Sequence, residues 1–288
     1  FKMKKLIVNA DDFGLLNCVN SGITEAYNKG ILTSSTMMLN MPGSADAIEL
    51  AKKYSIPTGI HLNLNAGKPL VSYELSDPLT GEFYKDVYVL IDKIKTGVFS
   101  ENSIEKELYA QLALMKDSGL NITHIDSHKH SHQFLPLFKI IEKLAEKFGI
   151  KKIRMSADVN FYCDINAETN FNSKDFSYQL YIQYNLNNGN YRSLWYEEYF
   201  LFAGFFFAGK IDKDNFTKIF LKLPDTDKPI EIMFHPAYNS TDLEKISSLT
   251  YHRETELKTL ISDEIFDIIK KNNVNLCDFQ LINKKLER

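Results

Sequence analysis

Short apolar runs alternate with segments of helical periodicity along most of this chain. The runs predict strands over residues 5–9, 33–39, 58–65, 122–127, 152–156, 230–234 and 275–279. Apolar residues at helical spacing between them, such as Ile104, Leu108, Leu112 and Met115, predict amphipathic helices. Strands followed by helices, about seven times along the chain, indicate parallel strands joined by right-handed crossovers.

This alternation predicts an α/β protein, built as a single distorted (β/α) TIM-like barrel with mostly parallel strands over residues 3–288. No GxGxxG motif follows the first strand, which argues against an open Rossmann sheet. Two intervals of weak periodicity, about 67–98 and 158–229, are predicted to be inserted loops. The first could be a substrate loop or a solvated excursion. In the second, Trp195 or Tyr196 could stack on a sugar ring.

Charge and cysteine content exclude some classes of partner. The 34 basic and 37 acidic residues leave a net charge of −3, which gives no reason to expect binding to nucleic acid or to an anionic membrane. The longest strongly apolar stretch, 199–208, is about half of a bilayer span. Three scattered cysteines and the lack of a recognisable signal peptide predict a cytoplasmic protein with reduced thiols.

Ionisable residues are concentrated at the ends of predicted strands. Asp11 and Asp12 directly follow the first apolar run, where adjacent carboxylates repel each other unless they are paired or bound to a metal. His61 lies within an apolar strand, which alone is more typical of a core histidine. His235 follows the strand 230–234 and precedes Pro236, which alone is equally typical of a turn.

A histidine cluster follows the fourth predicted strand. Four of the seven histidines of the chain lie within nine residues: His124, His128, His130 and His132. His124, Asp126 and His128 alternate, so a strand would place them on one side. Packing alone does not require such a cluster, and a site of chemistry is the better interpretation.

Parallel strands of one barrel bring their C-terminal ends to one rim, so these strand ends should converge. One carboxylate of the Asp11–Asp12 pair, with His61 and His128, could hold a divalent ion. Such ligands suit zinc, cobalt, iron or manganese better than magnesium. The other aspartate could accept a proton from metal-activated water, and His235 could protonate the leaving group. Adjacency alone does not decide which aspartate faces the ion.

With these residues assembled, the chain resembles the YdjC-like carbohydrate deacetylase family, which includes the chitooligosaccharide deacetylases. The matching segments are LIVNADDFG (6–14), GILTSST (30–36), GIHL (59–62), THIDSH (123–128) with the two histidines that follow, and FHPA (234–237). The combination of NADDFG with HxDSHxHxH is specific to this family.

The resemblance implies a (β/α) barrel-like fold and hydrolysis of N-acetyl groups from acetylated amino sugars, such as chitobiose-type oligosaccharides of chitin degradation. It implies one divalent ion, described as magnesium in this family, on Asp12, His61 and His128, with Asp11 as the catalytic base. It also implies a homodimer. The remaining polar residues of the histidine cluster are interpreted as orienting the ligands or binding substrate: His124, Asp126, His130 and His132. Asp126 could instead be a ligand itself.

Other functions are compatible with the same residues. A metal-dependent phosphoesterase or amidohydrolase also builds histidine clusters on barrel strands, often around two or three ions. A sugar isomerase would convert its substrate without releasing acetate. A sugar-binding module with a structural ion would have a closed coordination shell.

Overall fold

The apolar runs form one curved sheet in the computed structural model, which describes residues 4–159, 173–191 and 200–284. Within these residues the strands are β1 (Lys5–Phe13), β2 (Ser34–Met37), β3 (Thr58–Leu62), β4 (Ile122–Ser127), β5 (Leu201–Ala203), β6 (Ile230–Phe234) and β7 (Asn275–Leu276). Their pairings are parallel, in the order β4-β3-β2-β1-β6-β5, and β7 pairs with the start of β1. The predicted α/β fold with mostly parallel strands is confirmed.

Helices occupy most of the connections between these strands. In the described residues the α-helices are α1 (Asn17–Lys29), α2 (Ser44–Tyr54), α3 (Val87–Lys95), α4 (Glu101–Asp117), α5 (Leu135–Phe148), α6 (Ser173–Asn187), α7 (Lys213–Leu221), α8 (Thr241–Ile246), α9 (Tyr251–Leu260) and α10 (Asp263–Lys271). Two 3₁₀ helices are η1 (Tyr73–Leu75) and η2 (His128–Gln133). The amphipathic helix α5 buries Leu137, Ile141 and Leu144, as its spacing predicts, and these join the main apolar core.

A short segment links the two outer strands of the sheet. Ile153 makes a parallel bridge to Ile125 of β4, and Asp158 makes a parallel bridge to Phe202 of β5. The strand predicted over 152–156 is therefore reduced to a single bridge. Because the segment touches both edges of the sheet, it brings them together in the manner of a distorted (β/α) barrel.

The register of the strands sets the level of the polar residues at their C-terminal ends. In β1 and β6, Ala10 pairs with Phe234, one residue before Asp11 and His235 respectively. In β3 and β4, His61 pairs with Asp126. The polar residues that follow or end these apolar runs therefore lie at one rim, as expected for parallel strands.

The end of β1 is irregular, and this irregularity involves the aspartate pair. The register with β2 shifts between Ala10 and Phe13, and Asp12 has a positive φ of 67°. Successive side chains of a regular strand point to opposite faces, whereas a bulge can redirect one of them. Aspartate is among the few residues other than glycine that tolerate this backbone region. As a result, both neighbouring carboxylates reach the same cleft.

The two intervals predicted to be inserted loops contain regular elements. The interval 67–98 carries η1 and α3, and the described part of 158–229 carries α6, β5 and α7. The hypothesis of sugar stacking by Trp195 or Tyr196 concerns residues that lie outside the described ones.

Candidate active site

The C-terminal ends of the strands open into a cleft of about 1230 Å³. The five residues predicted to bind the ion or transfer protons all line it: Asp11, Asp12, His61, His128 and His235. They come from β1, from β3, from the start of η2 and from the residue after β6. The structure thus brings together residues that are up to 224 positions apart in the sequence.

The carboxylate of Asp12 faces two imidazoles. Its Oδ1 lies 3.1 Å from Nδ1 of His128 and 3.4 Å from Nε2 of His61. One ligand atom from each residue lies within 4.8 Å of the others. One oxygen and two nitrogens at this spacing could hold a single divalent ion and leave positions for water and substrate.

Asp126 fixes the orientation of the His61 ring. Its Oδ1 lies 2.7 Å from Nδ1 of His61, and the Thr36 hydroxyl donates to the other carboxylate oxygen at 3.0 Å. Because a carboxylate only accepts, Nδ1 donates to Asp126, and Nε2 is the ring nitrogen that faces Asp12. A carboxylate behind a histidine is the usual means of orienting a metal-ligating imidazole.

A second group of donors, Asp11 with His61 and Asp126, also lies close enough to hold an ion. The guanidinium of Arg154 already pairs with two of these three residues. It donates to both oxygens of Asp11 at 2.7 and 2.8 Å and pairs with Oδ2 of Asp126 at 2.7 Å. A fixed positive charge at this point opposes a cation, so the group containing Asp12 is the better candidate.

Arg154 also determines the protonation of its partners. Burial opposes the charged form of Asp11, but the charge and hydrogen bonds of Arg154 outweigh it and hold the pKa of Asp11 far below its usual range. The same guanidinium lies 2.5 Å from Glu231 Oε1. There burial outweighs the guanidinium and raises the pKa of Glu231 to about 7.

Carboxylates outnumber guanidinium groups around the cluster. The buried carboxylates in contact with it are Asp11, Asp12, Asp126 and Glu231, and the guanidinium groups are Arg154 and Arg253. Even with Glu231 protonated, negative charge remains in excess. Burial disfavours charge on His61, yet Asp126 and Asp11 raise the pKa of His61 to about 10. The surroundings therefore favour one positive charge at His61, which its own proton supplies or a divalent ion in its place would supply.

His128 is presented by a turn with unusual backbone geometry. Lys129 and His130 both have positive φ, 56° and 54°. Such conformations cost about 1–3 kcal/mol each in non-glycine residues and are often found at functional sites. Burial lowers the pKa of His128 despite the nearby Asp12, so its imidazole is neutral and able to bind an ion.

His235 follows β6, which lies on the other side of β1 from β3 and β4. Its backbone N–H donates to Glu256 Oε2 at 2.5 Å. Burial lowers the pKa of His235 to about 4, so its ring is neutral at pH 7. Its Nδ1 lies 4.0 Å from the same Glu256 oxygen and has no hydrogen-bond partner within the described residues.

The other three histidines of the cluster have different surroundings. His130 lines the cleft, with Nδ1 2.9 Å from the hydroxyl of Ser156 and its ring centroid 5.0 Å from that of Phe205. His132 lies behind it, with Nε2 3.0 Å from the backbone carbonyl of Arg154. His132 therefore supports the segment that carries the guanidinium.

His124 is buried below the site, because it does not line the cleft and its ring stacks on Phe279 with a centroid distance of 3.4 Å. Its Nδ1 lies 2.9 Å from the Thr123 hydroxyl. Burial holds the pKa of His124 well below its usual range, so the ring is neutral. Its surroundings favour packing over contact with substrate.

Four charged residues of the site were not predicted: Arg154, Glu231, Arg253 and Glu256. Arg154 and Glu231 stand inside apolar runs, 152–156 and 230–234, where a charged residue has to be paired if it is buried. That pattern could have identified both residues. Arg253 and Glu256 lie on α9, whose sequence YHRETELKTL has no clear apolar face to mark them as buried.

A family model for YdjC-like proteins matches residues 5–271. The chain belongs to the YdjC-like family. The resemblance inferred from the aspartate and histidine motifs is thereby confirmed.

Curated relatives of this YdjC-like chain are named carbohydrate deacetylases. One from Halalkalibacterium halodurans is 34% identical over 259 residues, which cover 89% of this chain and 94% of the relative. Another from Brevibacillus brevis is 34% identical over 278 residues, covering 96% of this chain and 98% of the relative. The expected kinship with deacetylating enzymes is thus confirmed.

A solved structure supports the fold. A protein from Enterococcus faecalis V583, described provisionally as a cellobiose-phosphate cleavage protein, superposes with a TM-score of 0.73 at 23% identity. The match covers 98% of this chain and 100% of that one. Within the described residues, no helix combines the length and apolarity that crossing a bilayer requires.

Replacing Arg154 with methionine should destabilise the protein strongly. The substitution leaves three buried carboxylates without their shared counter-charge, and breaking a buried ion pair in this way costs about 3–5 kcal/mol. Urea unfolding followed by circular dichroism measures the change. Arg154→Lys retains a positive charge but lacks the planar guanidinium, so its free energy of unfolding should fall less than that of Arg154→Met. A methionine variant with nearly the stability of wild type would show that Arg154 does not neutralise this cluster.

Glu231 should make the free energy of unfolding depend on pH. Its pKa is about 7 in the folded protein, against 4.5 for an unperturbed glutamate. Its contribution is therefore fully present below about pH 4.5 and is lost as the pH rises through 7. The stability of wild type relative to Glu231→Gln should decrease over this range. Unfolding curves at several pH values test this, and a difference that stays constant or grows would contradict the assignment.

Proposed function

We propose that this chain is a metal-dependent deacetylase that removes N-acetyl groups from acetylated amino sugars or short chitooligosaccharides of the chitobiose type. The observation that carries the proposal is the cluster of Asp12, His61 and His128 at the base of a cleft, with Asp11 and His235 beside it. Membership of the YdjC-like family and the names of the curated relatives support the reaction class.

Asp12, His61 and His128 would hold the ion. When bound, it would act as a Lewis acid toward the acetamide carbonyl and lower the pKa of water. The one-oxygen, two-nitrogen donor set suits zinc, cobalt or manganese, whereas the family resemblance points to magnesium. We therefore propose one divalent ion and leave the choice of element to measurement.

Asp11 is the proposed base. The two hydrogen bonds from Arg154 keep the Asp11 carboxylate ionised at neutral pH and fix its direction. Asp11 can therefore accept a proton from the attacking water. The same contact with Arg154 makes Asp11 a weak base, because it lowers the pKa of the carboxyl group. Asp11 therefore suits a water molecule whose own pKa has been lowered.

His235 is the proposed acid for the departing amine. Its imidazole is neutral at pH 7 because burial lowers its pKa to about 4. It must therefore receive a proton during the reaction before it donates one. The proton released from water is available for this step, because Asp11 and His235 line the same cleft.

The substrate site is wide enough for a carbohydrate. The cleft of about 1230 Å³ exceeds the usual range of about 300–1,000 Å³ for small-molecule pockets. Tyr88, Tyr178 and Phe205 add aromatic surface to its wall, a common surface for sugar rings. A cytoplasmic location and a homodimeric assembly remain predictions from the sequence.

Acetate release tests the proposed reaction. Mono- and di-N-acetylated amino sugars are incubated with the enzyme, with a chelated sample as control and Mg²⁺, Mn²⁺, Co²⁺ or Zn²⁺ added back. We expect acetate from at least one sugar, loss of release after chelation and recovery with metal. Release that survives complete chelation would contradict metal dependence. Substrate conversion without acetate would favour an isomerase, and binding alone would favour a sugar-binding module.

The two adjacent aspartates provide matched variants. Asp11→Asn should lower kcat by about 10²–10⁴, the usual contribution of a general base, while the metal content stays that of wild type. Asp12→Asn should lose both metal and activity. Elemental analysis and steady-state kinetics on both variants test the assignment. Loss of metal in Asp11→Asn, with metal retained in Asp12→Asn, would show that the two roles are exchanged.

A further inference from the structure

Helix α9 brings two buried charged residues to the site, although it lies outside the strands of the sheet. Arg253 is 2% exposed and Glu256 is 0% exposed. They are three residues apart and therefore lie on the same side of the helix. A buried charge is costly unless it is paired, so both residues require specific partners.

Arg253 binds the proposed metal ligand Asp12. Its Nη2 lies 2.6 Å from Oδ2 of Asp12, while its Nε donates to the carbonyl of Leu249 at 3.0 Å and Nη2 also reaches the hydroxyl of Ser247 at 3.3 Å. These bonds hold the guanidinium on the loop before α9. With Oδ2 occupied, the other oxygen of Asp12 faces His61 and His128.

Glu256 binds the backbone at the other side of the site. Its Oε2 accepts the N–H of His235 at 2.5 Å, and its Oε1 accepts the N–H of Ile211 at 3.4 Å. The backbone of His235 is therefore held at the point where the chain leaves β6. Its imidazole, which lines the cleft, depends on that backbone for its position.

We propose that α9 is a positioning element for both halves of the catalytic site. Arg253 fixes the carboxylate of Asp12 with one oxygen directed to the ion, and Glu256 fixes the strand end that carries His235. The inference rests on the proposed function and extends it to two residues that are not proposed ligands of the ion and that act through Asp12 and His235. Because Arg253 and Glu256 lie on one helix, they hold Asp12 and the backbone of His235 at a fixed separation.

The metal affinity of Arg253 variants tests the first half. Mn²⁺ and Zn²⁺ are titrated calorimetrically, without substrate, into wild type, Arg253→Lys and Arg253→Gln. Loss of a residue that orients a ligand typically weakens metal binding about 10–100-fold, and we expect this for both variants. Lys258→Gln is the control, because Lys258 pairs with Glu254 on the exposed side of α9 and should bind metal as wild type does.

The two substitutions separate position from charge. Lysine keeps the positive charge but lacks the guanidinium, whose nitrogens reach Asp12 and Leu249 together. Glutamine removes the charge. If Arg253 only offset the charge of Asp12, Arg253→Gln would bind the cation more tightly than wild type. That result, or unchanged affinity in both variants, would overturn the inference. Thermal unfolding confirms that each variant is folded, and Arg253→Lys alone suffices if Arg253→Gln is not.

Glu256 is tested by a conservative and a truncating variant. Glutamine keeps an oxygen that can accept the His235 N–H, and alanine does not. We expect Glu256→Ala to lower kcat about tenfold or more with little change in KM, and Glu256→Gln to recover a large part of the loss. Metal affinity should stay unchanged in both, since His235 is not a proposed ligand. Glu254→Ala, on the exposed side of the helix, is the control. Equal losses in both Glu256 variants would show that Glu256 acts through its charge instead of through the backbone contact.

The deacetylase function and the positioning role of α9 can be refuted separately. A protein whose metal affinity depends on Arg253 but which releases no acetate would refute the deacetylase function and leave the role of Arg253 intact. A deacetylase with unchanged metal affinity in the Arg253 variants would refute the positioning role alone. A wild-type protein that binds no divalent ion would refute metal dependence and the Arg253 assignment together.

Discussion

The buried guanidinium of Arg154 allows acidic residues from three strands to share one interior. Asp11 of β1, Asp126 of β4 and Glu231 of β6 all contact it, and each is at most 2% exposed. Without this charge, the repulsion and desolvation of three carboxylates would oppose closure of the sheet at this level. Arg154 lies on the short segment that joins β4 to β5, so the contact that neutralises the site also helps to close the barrel. Neutralisation of the carboxylates and closure of the sheet therefore involve the same side chain.

The contacts of Arg154 orient the other side chains of the site one after another. Arg154 pairs with Asp126, Asp126 accepts from Nδ1 of His61, and the other ring nitrogen of His61 faces Asp12. The same guanidinium opposes a cation beside Asp11, and this favours Asp12 as the aspartate that would face an ion.

Much of the framework was predictable because buried parallel strands carry continuous apolar runs. The predicted strands 122–127 and 230–234 match β4 and β6 residue for residue. The strand at 152–156 was overestimated, because only Ile153 makes a bridge. The histidine and aspartate motifs were found because they are dense and occur at strand ends. Arg253 and Glu256 could not be found in this way, because their burial depends on packing against distant parts of the chain.

The contact between Arg253 and Asp12 joins residues 241 positions apart. During synthesis, the aspartate pair is made near the beginning of the chain, and its two guanidinium partners follow only after residues 154 and 253. Contacts of such long sequence separation form late, because the closure entropy of the intervening chain must be overcome first. The order of assembly therefore runs from framework to site. A chain that lacks α9 cannot complete the carboxylate arrangement at the rim, because it lacks the guanidinium that pairs with Asp12.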